Sequence, residues 1–176
     1  MCEVERSGES EPYLLLFKEK EMRWLVLFLW IALCFAVAGI GGSWTAGEVK
    51  GWYQTLAMPS FAPPNWVFGP VWSVLYTLMA VAAWRVWLAA PARARTGALA
   101  LFMLQLALNL AWSRIFFRQH AIGIALVEVA VLWVAIGATT LAFSRISSLA
   151  AWLMVPYLAW VAFAAALNAA FWRLNH

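Results

Sequence analysis

Hydrophobic and polar positions fall in long blocks along this chain instead of alternating. After 21 mostly polar positions, the stretch WLVLFLWIALCFAVAGIGGSWTAG at 24–47 carries no charge. Four further blocks follow. One runs from about Trp66 to Ala89, with only Arg85 near its end. The next, about Gly97 to Phe117, is broken only by Arg114, and another, about Ala121 to Phe143, holds Glu128. The last, about Ser148 to Trp172, is uncharged. A bilayer core of roughly 30 Å is crossed by about 20 apolar residues in a helix, so the blocks predict five membrane spans, the first from about Met22 to Gly42. Arg85 is close enough to its span end to snorkel into the headgroups.

The expected fold class is therefore all-α, a polytopic membrane protein built as a five-transmembrane-helix bundle. A soluble bundle would need a polar face on each helix, and the second and fifth blocks have almost none. The strict alternation of a transmembrane β-barrel is missing. A cleaved signal peptide fits poorly, because the polar stretch precedes the first apolar block and GGSWTAG matches a cleavage site only loosely. We expect a polar N-terminal tail at 1–21, with a short interfacial piece around YLLLFKEKE, followed by one domain at 22–176.

The short connections APARART and RQH suit antiparallel neighbours. Only the first connection, about 43–65, is long, and it leads into GWYQTLAMPSFAPPNWVFGPVW at 51–72, an uncharged stretch dense in rings and prolines. Five spans put the termini on opposite sides. The N-terminal side collects eight basic residues, Arg6, Lys18, Lys20, Arg23, Arg85, Arg93, Arg95 and Arg145, against Lys50, Arg114, Arg118 and Arg173 on the other. That asymmetry predicts the N-terminus inside and the C-terminus outside.

Composition sharpens this picture. The chain is 65% hydrophobic and 11% charged, where soluble domains carry about 25% charged residues. Twelve Lys and Arg against eight Glu, with no Asp, leave a net charge of +4. These cations are scattered near block ends, so they read as membrane-flanking charge and not as a nucleic-acid footprint. Cys2 and Cys34 lie too far apart in character and position to suggest a disulfide framework. His120 and His176 have no companions at metal-ligand spacing. No phosphate-binding or dinucleotide glycine motif and no nucleophile with its base stands out.

Side-chain chemistry concentrates on stripes. Gln105, Asn109, Trp112 and Phe116 share one face of the third span, and Tyr157, Trp160, Ala164, Asn168 and Phe171 share one face of the fifth. Trp72 and Tyr76 are one turn apart in the second. The stripes could line an aromatic pocket with a few amides, or Asn109 and Asn168 could simply tie helices together. Glu128 could be a proton relay, a hydrogen-bond partner or a counter-charge to an arginine. Gly39, Gly41 and Gly42 permit a close helix approach or a break. Trp24, Trp66, Trp87 and Trp172 read as interfacial anchors, whereas Trp52, Trp72, Trp112 and Trp160 fall in the dense loop or on the stripes.

WYQTLAMPSFAPPNWVFGPVWSVLY (52–76), QLALNLAWSRIFF (105–117) and VPYLAWVAFAAALNAAFWRLNH (155–176) resemble the signatures of the TspO/MBR family. These are the tryptophan-rich sensory proteins related to the mitochondrial translocator protein. The resemblance spans roughly Trp24 to His176. It implies a five-helix bundle, commonly a homodimer, with a pocket beneath the first loop and no tightly bound cofactor. The implied ligand is protoporphyrin IX or a related tetrapyrrole, with sterols, lipids and isoquinoline carboxamides as further candidates. A receptor or sensor is the first functional expectation, and a transporter or shuttle is an alternative. A second alternative is a light- and oxygen-dependent porphyrin-degrading enzyme, in which Trp72 and Trp160 match the catalytic tryptophans. Trp52 matches a loop tryptophan above the pocket, Trp112 an aromatic of the third-helix motif, and Ala164, Leu167 and Asn168 ligand-lining positions of the fifth helix. Glu128 matches an acidic span position. With Tyr76, Asn109 and Tyr157 from the stripes, these residues make up the expected ligand-binding set. Two positions depart from the family pattern. Met58 stands where a basic residue usually precedes the first loop proline, with Lys50 as a nearby substitute, and Arg114 stands where many relatives have proline.

Overall fold

The computed structural model describes the backbone of residues 10–175 and the side chains from Glu19 to Asn175. Five helices carry the chain: α1 Ser10–Glu48, α2 Phe68–Ala89, α3 Ala92–Ser113, α4 Ile122–Ser144 and α5 Ser148–Leu174. Each contains a stretch long and apolar enough to cross a membrane. Reading round the bundle, the order is α1, α2, α5, α4, α3, with α3 returning to α1.

Helix α1 differs most from expectation. It runs unbroken through Met22 and past Gly42 to Glu48, about 58 Å at 1.5 Å per residue. The expected break between tail and bundle is absent from Ser10 onward, and the rest of the tail, residues 1–9, lies outside the described residues. The long connection shrinks accordingly to 49–67, with two single 3₁₀ turns at Trp52–Thr55 and Asn65–Val67. Glycine is costly in a water-exposed helix. In an apolar medium the backbone has no water to bond instead, so Gly39, Gly41 and Gly42 remain helical. Only Gly41 serves close packing: a Cβ there would sit 3.3 Å from Ser113 Oγ on α3, whereas Gly39 and Gly42 face open space.

The other helix ends have local causes. Ala90 is extended ahead of Pro91, which ends α2, and α3 starts immediately after, so most of APARART is helix and not turn. Arg95 braces this corner by donating to the Trp87 carbonyl at 2.8 Å, with its guanidinium 4.7 Å above the Trp87 ring. At the far end of α3 the helix widens into one π-helical turn, Arg114–Arg118, and the chain reverses at His120, the one non-glycine residue at positive φ (53°) among the described residues. Ser147 caps α5 through its hydroxyl.

The core lies toward the end of the bundle that holds the start of α1. Phe102 is fully buried between Trp30, edge-on at 5.5 Å, and Phe143, stacked at 5.9 Å. Trp84 stacks on Trp24 at 5.9 Å and donates to the Arg23 carbonyl at 2.9 Å, pinning α2 to α1. Trp24 and Trp66 are exposed on the outside of the bundle. Emptying the Phe102 site removes the shared partner of both rings, so Phe102→Ala should cost about 3 kcal/mol or more. A lowered midpoint in a thermal unfolding scan of the detergent-solubilised protein checks this.

Candidate functional site

Away from that core the helices part, and their inner faces enclose a cavity of about 660 Å³ under the 49–67 connection. Rings form its walls. Trp72 and Phe68 come from α2, Trp112 and Phe116 from α3 and its π turn, and Trp160 and Phe163 from α5. Trp160 meets Phe68 edge-on at 6.1 Å and Phe163 at 5.5 Å, so the rings brace one another as well as the space. The π turn at the end of α3 supplies two successive rings, Phe116 and Phe117, both buried and both on the cavity wall.

The polar groups of the expected stripes are tied to one another. Tyr76 donates its hydroxyl hydrogen to Asn109 Oδ1 at 2.6 Å, and Asn109 Nδ2 donates to the Tyr157 hydroxyl at 3.2 Å, which joins α2, α3 and α5. Nearer the lid, Trp112 Nε1 donates to Asn168 Oδ1 at 3.2 Å, while Asn168 Nδ2 donates to the Ile122 carbonyl at 2.9 Å. The two asparagines thus both line the cavity and tie helices, so the two readings of their stripes are one arrangement.

Eight of the ten expected ligand-binding residues line the cavity: Trp72, Tyr76, Asn109, Trp112, Trp160, Ala164, Leu167 and Asn168. The structure sets two apart. Tyr157 is fully buried behind the wall, where it holds Asn109. Trp52 lies outside the cavity, stacked on His120 at 4.0 Å and edge-on to Phe116 at 5.7 Å. Its neighbour Tyr53 is the lid ring that reaches the cavity, buried against Phe116, Phe117 and Phe171. Burial pushes the Tyr53 phenol above its ordinary value, so it stays a neutral donor.

Sequence reasoning also missed the α1 wall, including Phe35 and Ala38. Because α1 is apolar all round, no periodicity marks its inner face. Met58 is exposed in the lid and takes no part in the cavity wall, whereas Lys50 lies on it. Arg114 points outward. Glu128 keeps both carboxyl oxygens buried, and neither a hydrogen-bond partner nor an arginine meets them among the described residues.

The lid is fastened at two places. Asn175 imitates a backbone strand against Ala57: its Oδ1 accepts from the Ala57 amide at 2.8 Å, and its Nδ2 donates to the Ala57 carbonyl at 3.2 Å and to the Phe171 carbonyl at 2.9 Å. At the other end, His120 Nε2 lies 3.0 Å from Glu48 Oε2 while its ring carries Trp52. Between these points Pro59, Pro63 and Pro64 limit the paths open to the chain.

Comparison with known proteins places this geometry. The profile of the TspO/MBR family matches residues 30–173. The tryptophan-rich protein TspO of Chlorobaculum tepidum is 41% identical over 152 residues, covering 86% of this chain and 96% of that protein. The human translocator protein is 44% identical over 139 residues, 78% of this chain and 82% of its own length. The tryptophan-rich sensory protein of Cereibacter sphaeroides is 38% identical over 154 residues, with 88% and 94% covered.

The Asn175 clamp predicts how the lid loosens. Asn175→Ala should speed hydrogen exchange at the Ala57 amide about tenfold, equivalent to roughly 1.4 kcal/mol and within the range for such a bond. Exchange elsewhere in the bundle should not change. Mass-spectrometric exchange in nanodiscs measures this, and unchanged exchange around Ala57 would show that the lid is held by something else.

Proposed function

The chain belongs to the TspO/MBR family, and on that premise we propose that this integral, multi-pass membrane protein is a receptor or sensor for tetrapyrroles of the protoporphyrin IX type. The observation that carries the reading is the convergence of Trp72, Trp112 and Trp160, from three different helices, on one cavity. A volume of about 660 Å³ falls in the range of roughly 300–1,000 Å³ common for small-molecule sites. Indole faces give a flat conjugated ring large, rigid stacking surfaces. Sterols share the flat shape and would compete for the same walls. On this reading the lid faces outward and the N-terminus inward, and the bundle works as a homodimer.

A second reading, light- and oxygen-dependent porphyrin breakdown, is favoured by one specific feature: Trp72 and Trp160, the two tryptophans it needs, face the same cavity. The receptor reading expects saturable quenching of tryptophan fluorescence by protoporphyrin IX at micromolar concentration in the dark. Trp72→Ala and Trp160→Ala should each weaken binding about tenfold, since a lost stacking partner is worth roughly 0.5–1.5 kcal/mol beyond its buried area. Non-saturable quenching, or variants that bind like the parent, would sink it. Under illumination in air, porphyrin loss that slows in Trp72→Phe and Trp160→Phe would move the assignment to the enzyme. Loss at equal rates in all three proteins would leave the receptor.

A further inference from the structure

The polar groups of the cavity divide by depth. The inner amides are already engaged within the protein, Asn109 by Tyr76 and Tyr157, and Asn168 by Trp112 and the Ile122 carbonyl. They have little left to offer a ligand. At the rim the situation reverses. Lys50, just past the end of α1, and Asn65, at the start of the turn into α2, both line the cavity and are exposed. Neither side chain has a hydrogen-bond or ion-pair partner among the described residues. The nearest acid in sequence, Glu48, is engaged with His120 at 3.0 Å. Among the described residues no carboxylate lines the cavity, and Lys50 is the one ionised side chain on its wall.

We propose that Lys50, assisted by the Asn65 amide, is the specificity-determining cation of this pocket. The ligand then carries an anionic group, a carboxylate, that rests at the rim while its apolar ring body lies inward against the tryptophans. This rests on the tetrapyrrole reading and adds an orientation and a charge requirement to it. An ammonium at a partly solvated mouth attracts a carboxylate without paying for deep burial of either charge. An uncharged ligand of the same shape keeps the ring contacts and loses only the rim pairing. The same logic makes the interaction sensitive to salt, because the rim is open to water.

The test compares protoporphyrin IX with its dimethyl ester, which has the same ring and no carboxylate, by dark fluorescence titration in nanodiscs of zwitterionic lipid. The parent protein should bind the acid about tenfold more tightly than the ester. Lys50→Gln should bring the acid down to the ester's affinity and leave the ester unchanged, and Lys50→Arg should restore most of the preference. Raising salt should weaken the acid and not the ester in the parent protein alone. If acid and ester bind the parent equally, or if Lys50→Gln weakens both alike, the charge assignment is wrong while the tetrapyrrole reading stands. If neither compound binds saturably, the tetrapyrrole reading falls and takes this inference with it.

Discussion

Hydrocarbon offers no hydrogen bonds, and this constraint governs how the bundle can hold any polar group at all. Its clearest product is the set of bonds that runs from Tyr76 through Asn109 to Tyr157 and ties three helices at one level. A second set, from Trp112 through Asn168 to the Ile122 carbonyl, does the same nearer the lid and reaches α4. Interhelical bonds in membranes are individually modest, on the order of 1 kcal/mol. Their larger effect is geometric, since each amide can satisfy both its donor and its acceptor in only one relative placement of the helices. The cavity lies on the lid side of these bonds, while Phe102, Trp30 and Phe143 pack the other end.

The same constraint shapes what the cavity offers. Amides that hold helices together are not available to a ligand, so the deep wall presents mainly ring faces. Free polar groups collect where water can reach them, at Lys50 and Asn65. Gln105 and Glu128 stand outside this order, buried with no partner among the described residues.

The spans were legible because their signal is crude and strong: blocks of about 20 apolar residues admit one structure in a bilayer. Helix ends were less legible. Gly39, Gly41 and Gly42 permit a break or a close approach by rules learned in water, yet α1 continues to Glu48. The stripes on α3 and α5 were visible because rare amides marked their inner faces, and those stripes supplied Trp112, Trp160 and both asparagines of the cavity wall. On α1 no such residue breaks the apolar surface, so Phe35 and Ala38 gave no sign. Nor does spacing reveal which of two adjacent rings turns inward. Trp52 and Tyr53 differ by one position in a 3₁₀ turn, and the choice between them is made by His120 and by the Phe116–Phe117 pair across the lid.

Met58, the lid position that the resemblance marks as a departure, is exposed and off the cavity wall. Met58 follows Ala57, whose amide and carbonyl are both held by Asn175, and its side chain is exposed. A basic side chain at 58 would therefore start from a backbone already fastened to the end of α5, on the outer surface of the lid. Lys50 starts instead from the cavity side, just after the last turn of α1. That turn is itself held against the α3–α4 corner by Glu48 and His120. His120 can take this position because the π turn before it delivers the chain to a residue at positive φ. The placement of the rim cation thus depends on the irregular end of α3, a part of the chain with no charge on the cavity wall. Loss of a cation from one lid position says little about the charge of the pocket until the backbone that carries each candidate is known.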